Sequence, residues 1–144
     1  MKKTQFTDLV KIQKMKVEKI EREMSKEQGH ITLFENRASE IEGEILEIQY
    51  PTMGTFSAFQ QMNMAMHNMK GDVKRLQDGK RETQNRIATL RQKLKKEQME
   101  LEKFLYLEND VLKKISEKKK IAERNYTDEV AILLTNVKKQ KSEN

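Results

Sequence analysis

A single proline, Pro51, stands between two long charged stretches that otherwise read as helix. Proline has no backbone N–H to donate, and it disfavours the helical conformation in the residue before it, here Tyr50. Gly54 follows within Tyr50-Pro51-Thr52-Met53-Gly54-Thr55-Phe56-Ser57 and permits backbone directions that other residues resist. Ser57 and Gln60 then make Ser-x-x-Gln, a capping-box pattern suited to a helix start. The expected organisation is one domain over 1–144: helix one over about 4–50, a bend over 51–57 and helix two over about 58–140.

Each arm carries an apolar seam. One position in seven from Val10 gives Val10, Val17, Met24, Ile31, Ala38 and Ile45, and three residues later stand Gln13, Ile20, Glu27, Phe34, Ile41 and Ile48. Ten of these twelve are apolar, and Phe6 extends the second series backward. Such three-four spacing predicts a coiled-coil face. Gly29 and Gly43 interrupt helix one at about 1 kcal/mol each relative to alanine, and read as weak points, with a close contact or hinge as the alternative. The second arm runs Met62, Met66, Met69, Val73, Leu76, Thr83, Ile87, Leu90, Leu94 and Leu101, broken by Lys80 and Glu97. At Phe104-Leu105 its phase is expected to slip by one, to Leu105, Leu112, Ile115, Ala122 and Tyr126.

Hydrophobic residues make up 35% of the chain and charged residues 36%, too little apolar material for a thick core but enough for a seam between two helices. The charge is segregated. Residues 27–50 hold six acidic side chains and one basic, whereas residues 58–81 hold five basic and two acidic. Folding the chain back at Pro51 sets these stretches against each other, which favours an antiparallel arrangement. The end carrying both termini is basic on both strands. The fold class expected is therefore all-α: a two-helix antiparallel coiled-coil hairpin with a longer C-terminal helix overhanging the first.

Arms of about 70 Å and about 120 Å follow from 1.5 Å per residue, with residue 4 opposite roughly residue 104. Residues from about 106 to 140 then extend as a single helix whose apolar residues, including Leu107, Val111, Ile132, Leu134 and Val137, have no partner in the chain. Lone helices gain most of their stability from packing, so this segment is expected to enter or join something. Residues 138–144 are expected to fray. At the bend, Met53, Met62, Met64, Met66 and Met69 are five of the nine methionines, with Phe56 and Phe59 beside them. Flexible, polarisable methionine suits a surface that adapts to partners; seam packing of Met62, Met66 and Met69 is the plainer reading.

No Gly-rich phosphate loop and no His-Glu-x-x-His run is present, and His30 and His67 stand alone in sequence. The chain reads as no enzyme, with no cofactor and no metal. It has no cysteine and no apolar run near the roughly 20 residues that cross a bilayer, and its start lacks an apolar signal core. The basic runs Lys93-Leu94-Lys95-Lys96 and Lys118-Lys119-Lys120 are interleaved with glutamates and lack a stacking series, so they read as solvated helix face. A basic coiled-coil nucleic-acid binder and a homodimeric scaffold paired through its overhangs remain alternatives.

The order of these features resembles the FliJ family, the small coiled-coil component of flagellar type III export. The likeness lies in Phe6-x-x-Leu9-Val10-x-Ile12, the break near Tyr50 to Gly54, and the aromatic-containing start of helix two. It continues through Leu107-Glu108 and Lys118-Lys119-Lys120 to Tyr126-Thr127-Asp128-Glu129-Val130-Ala131. The resemblance implies a hairpin similar to the stalk of a rotary ATPase, whose terminal end enters the ring of the export ATPase and promotes ring assembly. It also implies contact with an export-gate membrane protein and with export chaperones, in the cytoplasm at the inner membrane. On this resemblance the ATPase-binding residues would be Phe6, Leu9, Val10, Leu112, Ile115, Ile121, Tyr126, Val130 and Leu133. The gate- or chaperone-binding residues would be Phe56, Phe59, Met62, Met64, Met66, Met69 and Val73. The family's gate motif, Phe-x3-Leu-x2-Ala-x3-His, has its spacing met by Met62, Met66, Met69 and Val73, with all four identities changed.

Overall fold

A computed structural model describes residues 3–50 and 53–143; Met1, Lys2, Pro51, Thr52 and Asn144 lie outside the described residues, and with them the proline on which the expected bend rests. Among the described residues two helices are found: α1, Thr7–Glu47, and α2, Phe56–Glu143. The all-α hairpin class expected from the two seams is the one observed. Contacts gather into two compact units, one formed by Met15–Gln98 and the other by Met1–Lys14 with Met99–Asn144.

Local side-chain chemistry sets the helix ends. Thr4 Oγ1 accepts from the Phe6 N–H at 3.1 Å, and Thr7 Oγ1 accepts from the Thr4 N–H at 2.8 Å. This reciprocal pair satisfies donors that a helix start leaves without intrahelical partners. It delays α1 to Thr7, three residues beyond the expected start. α1 ends at Glu47 rather than near 50, with the Ile48 N–H turning back to the Ile45 carbonyl at 3.3 Å. The start of α2 corrects the sequence reading. Thr55, not Ser57, supplies the cap: its hydroxyl accepts from the Ala58 N–H and its carbonyl from the Phe59 N–H, both at 3.3 Å. Ser57 lies one residue inside the helix. No described glycine takes a positive φ, so left-handed backbone is not used. At the far end α2 is helical through Glu143, where fraying had been expected.

In the Met15–Gln98 unit, α1 and α2 pack antiparallel: moving forward from Glu27 to Glu35 moves the partner back from Arg86 to Lys80, at 3.3 and 3.0 Å. The Lys80–Glu35 pair joins the acidic 27–50 stretch to the basic 58–81 stretch, while Arg86 lies five residues beyond the latter; each exposed pair contributes only about 0–1 kcal/mol. The core is the expected seam. Val17, Ile20, Ile31, Ile41, Val73, Thr83 and Ile87 are buried, and Met24, Phe34, Ala38, Leu76, Leu90 and Leu94 are half-buried. Lys80, which breaks the apolar series, is held by Glu35.

In the other unit, Val10 and Gln13 are buried and the Thr7 hydroxyl donates to Glu108 Oε1 at 3.4 Å. The register therefore brings Thr7, rather than residue 4, to this part of α2. The predicted phase slip does not occur at Phe104-Leu105. Leu101, Phe104, Glu108 and Val111 are half-buried at unbroken heptad spacing, while Leu105 is exposed. A glutamate on the seam hides this continuity from an apolar pattern search, because Glu108 is held by a hydroxyl rather than by apolar contact.

Candidate functional site

Two groups of residues compete for function, one in each unit. Beside the bend, in the Met15–Gln98 unit, the Tyr50 ring packs on Phe59 with centroids 5.4 Å apart at an interplanar angle of 39°. Its hydroxyl donates to Met66 Sδ at 3.2 Å. A tilted ring pair at this separation is favourable, and the thioether accepts the hydroxyl as a weak hydrogen-bond acceptor. Tyr50 therefore ties the residues after α1 to the first turns of α2, a role the sequence reading did not assign to it. An aromatic immediately before the lone proline was the available signal.

The residues expected to bind a gate or chaperone divide by exposure. Phe56, Phe59 and Met64 are exposed. Met62, Met66 and Met69 are half-buried along the seam. Val73 is buried between the helices, so it cannot touch a partner while they remain paired, which removes one of the four motif positions. Met53, not among the expected site residues, is 91% exposed and is the most exposed large apolar side chain at the bend.

In the unit that contains Met99–Asn144, Val10 is likewise buried and serves the seam rather than a surface. It lines a groove with Thr7, Lys11, Leu105, Glu108 and Leu112. Leu9 is exposed, while Phe6 and Leu112 are half-buried. Beyond Leu112 every residue from 113 to 142 is exposed. Ile115, Ile121, Tyr126, Val130 and Leu133 are thus open to solvent, as are Ile132, Leu134 and Val137. So many exposed apolar residues on one helix make this segment the candidate interaction surface.

The arrangement offers faces rather than a pocket. Among the described residues no group of three histidine, cysteine, aspartate or glutamate side chains is placed to hold a metal. Among the same residues no helix is long and apolar enough to cross a membrane. A family model described as "Flagellar FliJ protein" matches residues 1–140. The chain belongs to the FliJ family. No curated protein and no solved structure matches it. Membership gives this FliJ-family chain a role connected with flagellar export, in a family of export components rather than of enzymes. The length of the match accords with the structure, in which both helices fall almost wholly within the matched residues.

Proposed function

We propose that this FliJ-family chain is a non-enzymatic stalk of the flagellar export apparatus, binding the export ATPase ring through the C-terminal part of α2. The exposed run from residue 113 to 142 carries this reading. It is helical, rich in apolar side chains, and without cover from α1. A central cavity lined by several ATPase subunits is a surface that such a rod fits. Leu112, Ile115, Ile121, Tyr126, Val130 and Leu133 would make the contacts, with Phe6 and Leu9 near the mouth. At the bend, Phe56, Phe59 and Met64, with Met53 added, would meet an export-gate membrane protein or export chaperones. The site would be cytoplasmic, at the inner-membrane export apparatus.

The decisive experiment is retention of the cognate export ATPase by the tagged chain, together with ATPase rate and ring assembly. Full-length protein should bind and promote assembly. Truncation after Leu112 should abolish both while leaving α1 paired, because every residue from 113 to 142 is exposed. Truncation after about residue 105 would instead remove the half-buried Leu107, Glu108, Val111 and Leu112, and so would confound the result. Undiminished binding by the chain ending at Leu112 would refute the assignment of the binding face.

A further inference from the structure

We propose that the exposed part of α2 also pairs antiparallel with the same segment of a second copy, about a two-fold axis near residue 124. The stripe Leu112, Ile115, Lys119, Ala122, Tyr126, Val130, Leu133 and Val137 runs at successive spacings of 3, 4, 3, 4, 4, 3 and 4 residues, one helical face broken only by Lys119. Tyr126 is 68% and Leu133 63% exposed, so the face is open. The stripe reads almost the same in both directions about its middle. Reversed against itself, it sets Ile115 on Leu133, Ala122 on Tyr126 and Leu112 on Val137. The smallest side chain meets the largest, which lets facing layers interdigitate. Lys119 meets Val130 and can lay its stem along the valine while its ammonium reaches water.

Charge selects the direction. Residues 113–124 hold six basic and two acidic side chains, whereas residues 125–137 hold Asp128 and Glu129 and nothing basic. Antiparallel pairing about residue 124 lays each copy's basic half along the other's acidic half. Parallel pairing stacks like on like. More specifically, Lys118 and Glu129 are eleven residues apart, about three helical turns, so they lie on the same shoulder of the stripe. In the antiparallel pair Lys118 of each copy faces Glu129 of the other, and the contact occurs twice, as an isologous interface requires. A seam of about 38 Å is on the order of the contact length that a stable two-helix interface of about 800 Å² per partner needs. The pairing does not rest on the ATPase reading. It covers the face which that reading leaves open, so dimer and ring-bound forms would exclude each other.

The test is sedimentation velocity of the full-length chain over a dilution series, with helicity checked by circular dichroism. Wild type should pass from dimer to monomer on dilution. Leu133→Glu or Tyr126→Glu should raise the dissociation constant at least about tenfold with helicity unchanged. Lys118→Glu and Glu129→Lys should each weaken self-association by about threefold to tenfold. Mixing those two variants restores both facing ion pairs and should return wild-type association in the mixture. A wild-type chain monomeric at every concentration overturns the proposal. So does a mixture no tighter than its components, because in a parallel pair Lys118 and Glu129 of different copies stand about 16 Å apart.

Discussion

Three glycine-to-alanine substitutions, chemically identical, are expected to differ in sign because of one phenylalanine. Gly29 and Gly43 lie on exposed faces of α1, and a Cβ added at either meets nothing within 4 Å. Alanine there should stabilise by about 0.8–1 kcal/mol each, the difference in helix propensity between the two residues. At Gly79 the added Cβ stands 3.3 Å from Phe34 Cζ, with two further ring atoms at 3.5 and 3.6 Å. The propensity gain is the same, but the ring must move, and overpacking a seam costs about 1–3 kcal/mol. Gly79→Ala should therefore fall between neutral and about 2 kcal/mol destabilising. Urea and thermal unfolding followed by circular dichroism read the difference. In a chain of this size 1 kcal/mol moves the midpoint by about 2–4 °C. Phe34→Leu, which shortens the side chain, should restore much of the alanine gain, giving a coupling of about 1 kcal/mol in a double-mutant cycle. If Gly79→Ala stabilises as much as Gly29→Ala, or if the cycle shows no coupling, the contact of Phe34 with the α2 backbone does not set the fit of the two helices.

Three further substitutions test local chemistry by the same unfolding assays. Thr55→Ala should cost about 1 kcal/mol, while Ser57→Ala should be within about 0.5 kcal/mol of neutral, because the hydroxyl of Thr55 caps α2. Thr83→Val should cost about 0.5–1.5 kcal/mol, since the fully buried hydroxyl donates to the Gly79 carbonyl and accepts from Arg86 Nη2, both at 2.9 Å. Glu47→Lys should stabilise by about 0.3–1 kcal/mol, because α1 has no basic residue in its last turn and ends on carboxylates where the helix dipole favours cations.

The seam of α1 was legible because its apolar residues recur at three-four spacing, and each seam position from Phe6 to Ile48 is buried or half-buried. The hairpin followed from that seam plus segregated charge. What the pattern hid was polar. Thr55 was passed over because Ser57 with Gln60 made the better-known sequence pattern, although the geometry of the chain leaving Gly54 put the threonine in reach of the Ala58 N–H. The phase slip at Phe104-Leu105 was inferred from apolar spacing alone, and Glu108 on the seam defeats that inference. The glycines that drew attention, Gly29 and Gly43, touch nothing, while Gly79 does. A close contact of that kind depends on which residue lies across the seam, and so on a register that spacing within one helix cannot supply. The candidate surfaces were legible as unpartnered apolar residues. Val10 and Val73, expected on contact surfaces, are buried in the seam, because an apolar seam residue and an apolar surface residue look alike in sequence.

Those polar seam positions explain why the two helices adopt one register. A purely apolar seam permits sliding by a heptad with little loss, since one branched side chain replaces another. Here Glu27 accepts from Arg86, Arg86 also donates to buried Thr83, and Lys80 is fixed by Glu35. Farther along α1, Thr7 reaches Glu108. Sliding by seven residues would separate the pairs that cross between the helices, Glu27–Arg86, Glu35–Lys80 and Thr7–Glu108, whereas the Arg86–Thr83 bond lies within α2 and would persist. Register in turn decides where α1 stops along α2. The first residues of α1 meet α2 near Glu108, so cover ends within a turn of Leu112, and the exposed face begins there. A slide of one heptad would bury or bare about two turns of that face. In the unit that contains Met99–Asn144, the length of helix offered to a ring, or to a second copy, is therefore set by where Thr7 and Val10 meet α2, and the Thr7–Glu108 hydrogen bond marks that register.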